Sequence, residues 1–93
     1  MSTYKALLWL AVDTDDGEYE LKRSVELPAH LAIFPGLCLQ IDGELRDVQD
    51  VTYVVNGDHV GKVIIYLEDY KDNSPDAISY LEEKGWRKSF PSN

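Results

Sequence analysis

The sequence predicts an α+β domain: an antiparallel β-meander of about five strands with one C-terminal helix packed on it. Three observations carry this. Residues 37–67, LCLQIDGELRDVQDVTYVVNGDHVGKVIIYL, hold three β-prone runs separated by Asp42-Gly43 and Asn56-Gly57. Both dipeptides supply the positive φ angles of tight hairpin turns. Two more β-prone runs precede them, in residues 4–12 and 18–27, and Ser74-Pro75-Asp76 then opens the one helical stretch. The alternative architecture is a small SH3-like β-barrel with the same helix, because short strands that are apolar on both sides suit a strongly curved sheet.

Residues 4–12 place Tyr4, Ala6, Leu8, Leu10 and Val12 on one face, and Leu7, Trp9 and Ala11 on the other. A strand that is apolar on both faces calls for cover on both sides, so it is expected to be central or wrapped. Asp13-Thr14-Asp15-Asp16-Gly17 follows as an acidic hairpin turn. It does not fit an EF-hand calcium loop, since one beginning at Asp13 requires glycine at its sixth position and Gly17 is the fifth, and a solvated hairpin loop is expected. Residues 18–27 alternate, with Tyr19, Leu21, Val25 and Leu27 against Glu18, Glu20, Lys22, Ser24 and Glu26. Arg23 falls on the apolar side, and its head is expected in solvent near a sheet edge.

Pro28 to Gly36 links the two halves, with Leu31, Ile33 and Phe34 expected to plug one end of the core. Leu37, Leu39 and Ile41 point inward from the next strand. In the strand after it, the three-residue spacing of Leu45 and Val48 suggests a bulge near Asp47. The VIIYL run that ends at Leu67 is again apolar on both faces. Ser74 is placed as helix N-cap, Pro75 at the first helical position and Asp76 near the positive end of the helix dipole. Ala77, Ile78 and Leu81 make the inward stripe of a helix of about three turns. Gly85 ends it as a left-handed cap, which predicts a Schellman contact between Leu81 and Trp86. Residues 86–90 are expected to form a short edge strand that Pro91 stops.

Ninety-three residues make one domain, residues 1–93, able to bury roughly 60–65% of the unfolded chain's surface. The formal charge is −8 with a pI near 4.5. Direct binding to nucleic acid or to an anionic membrane surface is therefore not expected. The apolar run Ala6–Val12 is too short to span a bilayer. With a single cysteine, Cys38, no internal disulfide can form, and the chain is read as cytoplasmic.

No phosphate loop, paired-cysteine motif or HExxH occurs, so no cofactor, no metal and no catalytic residue is expected. The function expected is that of a small non-enzymatic protein-interaction module, an adaptor, regulator or inhibitor with a protein partner. Aromatic and arginine side chains dominate binding hot spots, which singles out Tyr70, Trp86, Arg87 and Phe90. Strand addition at a sheet edge, including a homodimer, is the second route. An alternative is an acidic nucleic-acid mimic. The chain resembles small phage-encoded inhibitors in charge and length alone, and the candidates for an acidic face are Asp13, Asp15, Asp16, Asp42, Glu44, Asp47, Asp50 and Asp58. A third reading, a small enzyme, would require Cys38, His30 and His59 to meet.

Overall fold

The fold is taken from a computed structural model that describes residues 2–58 and 60–89. The chain forms β1 (Thr3–Thr14), β2 (Gly17–Pro28), β3 (Cys38–Ile41), β4 (Glu44–Tyr53), β5 (Val63–Leu67), β6 (Tyr70–Lys71), α1 (Ala77–Glu83) and β7 (Arg87–Lys88). The strands make one mixed sheet in the order β3-β4-β5-β1-β2-β7, with β6 beside β1.

The predicted hairpin of β1 and β2 forms in full register from Thr3–Pro28 to Thr14–Gly17. Thr14 fixes its turn: the Oγ1 accepts from the Asp16 N–H and donates to the Gly17 carbonyl. The run β3-β4-β5 is also antiparallel throughout. The two units do not join as a simple meander, however, because β5 lies parallel to β1, as does β6. Residues 29–37 cause this. The Leu31 N–H closes a turn on the Pro28 carbonyl, and the Leu31 carbonyl accepts from the Tyr4 hydroxyl. The linker then docks on β4 through the Gly36 N–H, which donates to the Val48 carbonyl. The chain thus reaches the free edge of β1 running in the same direction as β1 itself.

The barrel alternative is also corrected. The sheet curls enough for Arg23 on β2 to form an ion pair with Asp42 in the β3–β4 turn. Its outermost strands, β3 and β7, are not paired to each other, so the sheet does not close. Arg23 is therefore held across the concave side rather than waving at an edge.

The core fills that concave side. Ala6, Leu8, Leu10 and Val12 of β1 meet Leu21 of β2, Val48 of β4, Ile65 and Leu67 of β5, and Leu81 and Trp86 from the helix and the chain beyond it. Ile33 and Leu37 of the linker pack against this cluster, whereas Phe34 is 51% exposed and does not plug it. Tyr53 likewise points to solvent, 62% exposed.

The helix is shorter than its sequence signals suggest. Ser74-Pro75-Asp76 forms a preceding turn, in which the Ala77 N–H donates to the Ser74 carbonyl, and Asp76 rather than Ser74 sits at the N-cap. Proline and the Asp72 carboxylate, which accepts from the Ser74 N–H, favour that turn over another helical residue. The far end follows expectation. Gly85 takes φ +105°, the Trp86 N–H reaches the Leu81 carbonyl at 3.1 Å, and the Gly85 N–H reaches that of Glu82 at 3.1 Å. This is the Schellman pattern, and it carries Trp86 into the core beside Leu81.

Candidate functional site

Alternation along a strand sends every second side chain to the opposite face of the sheet. On the convex face, the register sets Lys22, Trp9, Tyr66 and Asp50 in one row across β2, β1, β5 and β4. The adjacent row is Ser24, Leu7, Ile64 and Thr52. Trp9 and Tyr66 lie with ring centroids 6.0 Å apart, tilted by 40°. The Lys22 ammonium, from β2 on the other side of β1, stands 5.7 Å from the Trp9 ring centroid. Trp9, Ala11, Ile64 and Tyr66 are half-buried and lie outside the core cluster, while Leu7 between them is buried, 8% exposed. The helix and the linker contribute to the concave side, so among the described residues no element covers this face. The cover that two doubly apolar strands called for is present on one side only.

Two bulges shape a groove beside the aromatic row. The register between β4 and β5 slips at Gln49, between Val48 and Asp50. On the same side of β1, Glu68 and Asp69 together stand opposite Ala11, since Trp9 pairs with Tyr66 and Val12 with Tyr70. The Glu68 N–H donates to the Asp47 carbonyl, which ties the second bulge to the first. Bulges re-aim side chains, and they cluster next to functional sites. The result is an open groove of about 460 Å³ lined by Trp9, Ala11, Glu20, Gln49, Asp50, Tyr66, Leu67 and Asp69. Ala11 is the smallest residue among those that line it. The groove's rim holds three carboxylates and no base, and among the described residues none of the three is in an ion pair. Nearby, the Asp13 carboxylate is the main cause pushing the Glu18 carboxyl up from its ordinary value, with Asp69 and Glu20 adding to it.

In comparisons with known proteins, no family model, no curated protein and no solved structure matches this chain. The reading of function therefore rests on geometry.

The residues singled out from sequence are not brought together as one surface. Trp86 is 2% exposed, so it seals the helix to the core and is not available to a partner. Tyr70 is half-buried under the Arg46 guanidinium, 4.1 Å from its ring centroid, and its hydroxyl donates to Asp72. Desolvation, reinforced by Asp72, pushes the Tyr70 phenol up. Arg87 is exposed on the edge strand and donates to the Glu82 and Trp86 carbonyls. Phe90 lies outside the described residues.

The acidic candidates also divide. Asp13, Asp15 and Asp16 lie at the β1–β2 turn, Asp50 on the convex face, and Asp42 in its ion pair with Arg23. Glu44 stands 3.8 Å from Arg46. Asp47 is beside Cys38 in the β3–β4 register. Asp58 lies in the β4–β5 loop, at the opposite end of β1 from Asp13. Cys38 is exposed, and partial desolvation followed by the Asp47 carboxylate pushes its thiol up, the reverse of activation. His30 is exposed in the linker, and His59 lies outside the described residues.

A second group of exposed apolar side chains, Tyr53, Val55 and Val60, sits around the β4–β5 loop, with Val55 73% exposed. The sequence missed the convex face as a site. The signal was present in the paired doubly apolar strands, but period-two patterning cannot say which face is left open.

Proposed function

We propose that this protein is a small non-enzymatic interaction module, an adaptor, regulator or inhibitor, that docks another protein on the convex face of its sheet. The observation that carries this is the Lys22–Trp9–Tyr66–Asp50 row with half-buried Ile64 behind it, on a face that no described element covers. Contiguous apolar patches rimmed by polar groups mark interaction surfaces. Tryptophan and tyrosine at the centre of such a patch are the side chains that most often carry binding energy. The reading is set in the cytoplasm, where an exposed thiol such as Cys38 stays reduced.

Self-association by strand addition is the competing arrangement. It would use the free backbone edge of β3 or of β2 beyond β7, and it would leave Trp9 and Tyr66 untouched. The nucleic-acid mimic needs carboxylates in rows on one face, and it draws less support because Asp42 is engaged with Arg23 while Asp58 lies far from Asp13.

Photocrosslinking in native host cells separates these. A benzoylphenylalanine in place of Tyr66 is expected to give a discrete protein adduct that disappears when Trp9→Ser is added. The same probe in place of Tyr80, exposed on the helix, is expected to give none. Adducts from position 80 alone, or from neither position, would refute the convex-face reading.

A further inference from the structure

We infer that the groove beside Trp9 and Tyr66 receives an arginine side chain of the docked partner, held between Glu20, Asp50 and Asp69. This rests on the convex-face reading above and names the chemistry of the partner. Three features converge on it. The groove wall is aromatic, and a guanidinium stacks on aromatic faces while a compact ammonium gains less from them. The rim offers three carboxylates with no base among the lining residues, and the ammonium at its border, that of Lys22, stands 5.7 Å from the Trp9 ring centroid. A planar group with five donors can meet several carboxylate oxygens at once, together with the Gln49 amide oxygen at the same rim. The small Ala11 side chain leaves room for the apolar stem of the arginine, which would lie on Trp9 and Tyr66.

The charge pattern of the face supports the same occupant. Glu18, Glu20 and Asp69 adjoin Asp13 at one end of β1, where Lys71 pairs beside Asp13. Lys22 stands mid-face against Trp9, and Lys5 and Lys62 belong to the other end, so the acids outnumber the bases at the first end. The Asp13 carboxylate, with Asp69 and Glu20 adding to it, pushes the Glu18 carboxyl up, in keeping with crowded acids at this end. A second copy of this chain, itself at −8, would bring more acids than bases to that end. A cationic partner relieves the repulsion.

The test uses the full chain and a library of random 12-residue peptides displayed on phage. Peptides selected on the wild-type protein are expected to share an arginine flanked by apolar residues. Replacing that arginine with citrulline, its neutral isostere, is expected to weaken binding about tenfold in calorimetry, and the double variant Asp50→Asn/Asp69→Asn should do the same. Trp9→Ser should remove binding. Both variants lie on the convex face, and unchanged circular dichroism verifies that they fold. Peptides lost with Trp9→Ser but indifferent to citrulline and to the double variant would overturn the arginine inference and leave the docking face standing. Peptides indifferent to Trp9→Ser would overturn both, and a selection that yields no peptide would overturn the arginine inference. A wild-type dimer in sedimentation that Trp9→Ser converts to monomer would assign the face to a second copy, and would overturn it as well.

Discussion

The two tryptophans have opposite duties, although both were legible as large apolar residues. Trp86 is the largest fully buried side chain, and Trp9 sits half-buried on the convex face. Truncating Trp86 to alanine leaves a core cavity and is expected to cost about 3–5 kcal/mol in urea unfolding. Trp9→Ser forfeits only cross-strand contacts and should cost about 1 kcal/mol, while abolishing partner capture. Comparable losses at both positions would show that the convex face is structural. Glu18 supplies a second prediction at this scale. Its carboxyl is raised in the folded state, chiefly by Asp13, so the folded protein holds a proton there that the unfolded chain has released. This favours the fold at low pH, and the advantage is lost as pH rises from the unfolded value of 4.5 through the raised one. Glu18→Gln should therefore unfold at a higher temperature than wild type at pH 7. The difference should vanish near pH 3 and shrink in high salt.

At the scale of elements, local chemistry was readable where it is self-contained. Asp42 and Gly43 both adopt positive φ, +53° and +83°, and make the two-residue turn that the dipeptide demands. At Asn56-Gly57 the strand pairing instead stops at Val54, whose N–H donates to the Lys62 carbonyl, so the loop is wider than a two-residue turn. The bulge of β4 falls at Gln49, two residues beyond Asp47, because its place is set by register with β5 and not by β4 alone. The helix end followed its glycine. A methyl group at Gly85 would meet Arg23 Nε at 3.5 Å, an ordinary contact, so the cost of Gly85→Ala lies in the backbone at φ +105°. That substitution is expected to lower unfolding free energy by about 1–2 kcal/mol, measured by urea titration. No loss would mean that α1 can end without its Schellman cap.

For the whole molecule, the Arg23–Asp42 pair is a polar link between β2 and the β3–β4 turn, which lie far apart in the sheet order. Both side chains keep partial solvent access, 24% and 31%, so water screens the attraction. A double-mutant cycle with Arg23→Met and Asp42→Asn is expected to give a coupling below about 1 kcal/mol. That outcome would assign the curl to the hydrophobic cluster rather than to this pair. A coupling of several kcal/mol would reverse that order of importance.

By itself, the sequence determined the five main strand segments, where the helix ends, which side chains alternate, and that β1 and β5 are apolar on both faces; β6 falls in residues 68–73, which read as a polar connection. These follow from spacing and from φ requirements, which act over a few residues. Tertiary structure decided three things that no local pattern encodes. It laid β5 parallel to β1, because the linker's docking on β4 fixes the direction of return. It buried Trp86 and left Trp9 on the surface, because burial depends on which face the helix covers. It gathered Glu20, Asp50 and Asp69 around one aromatic pair, because residues distant along the chain become neighbours only through strand register and the two bulges that shift it.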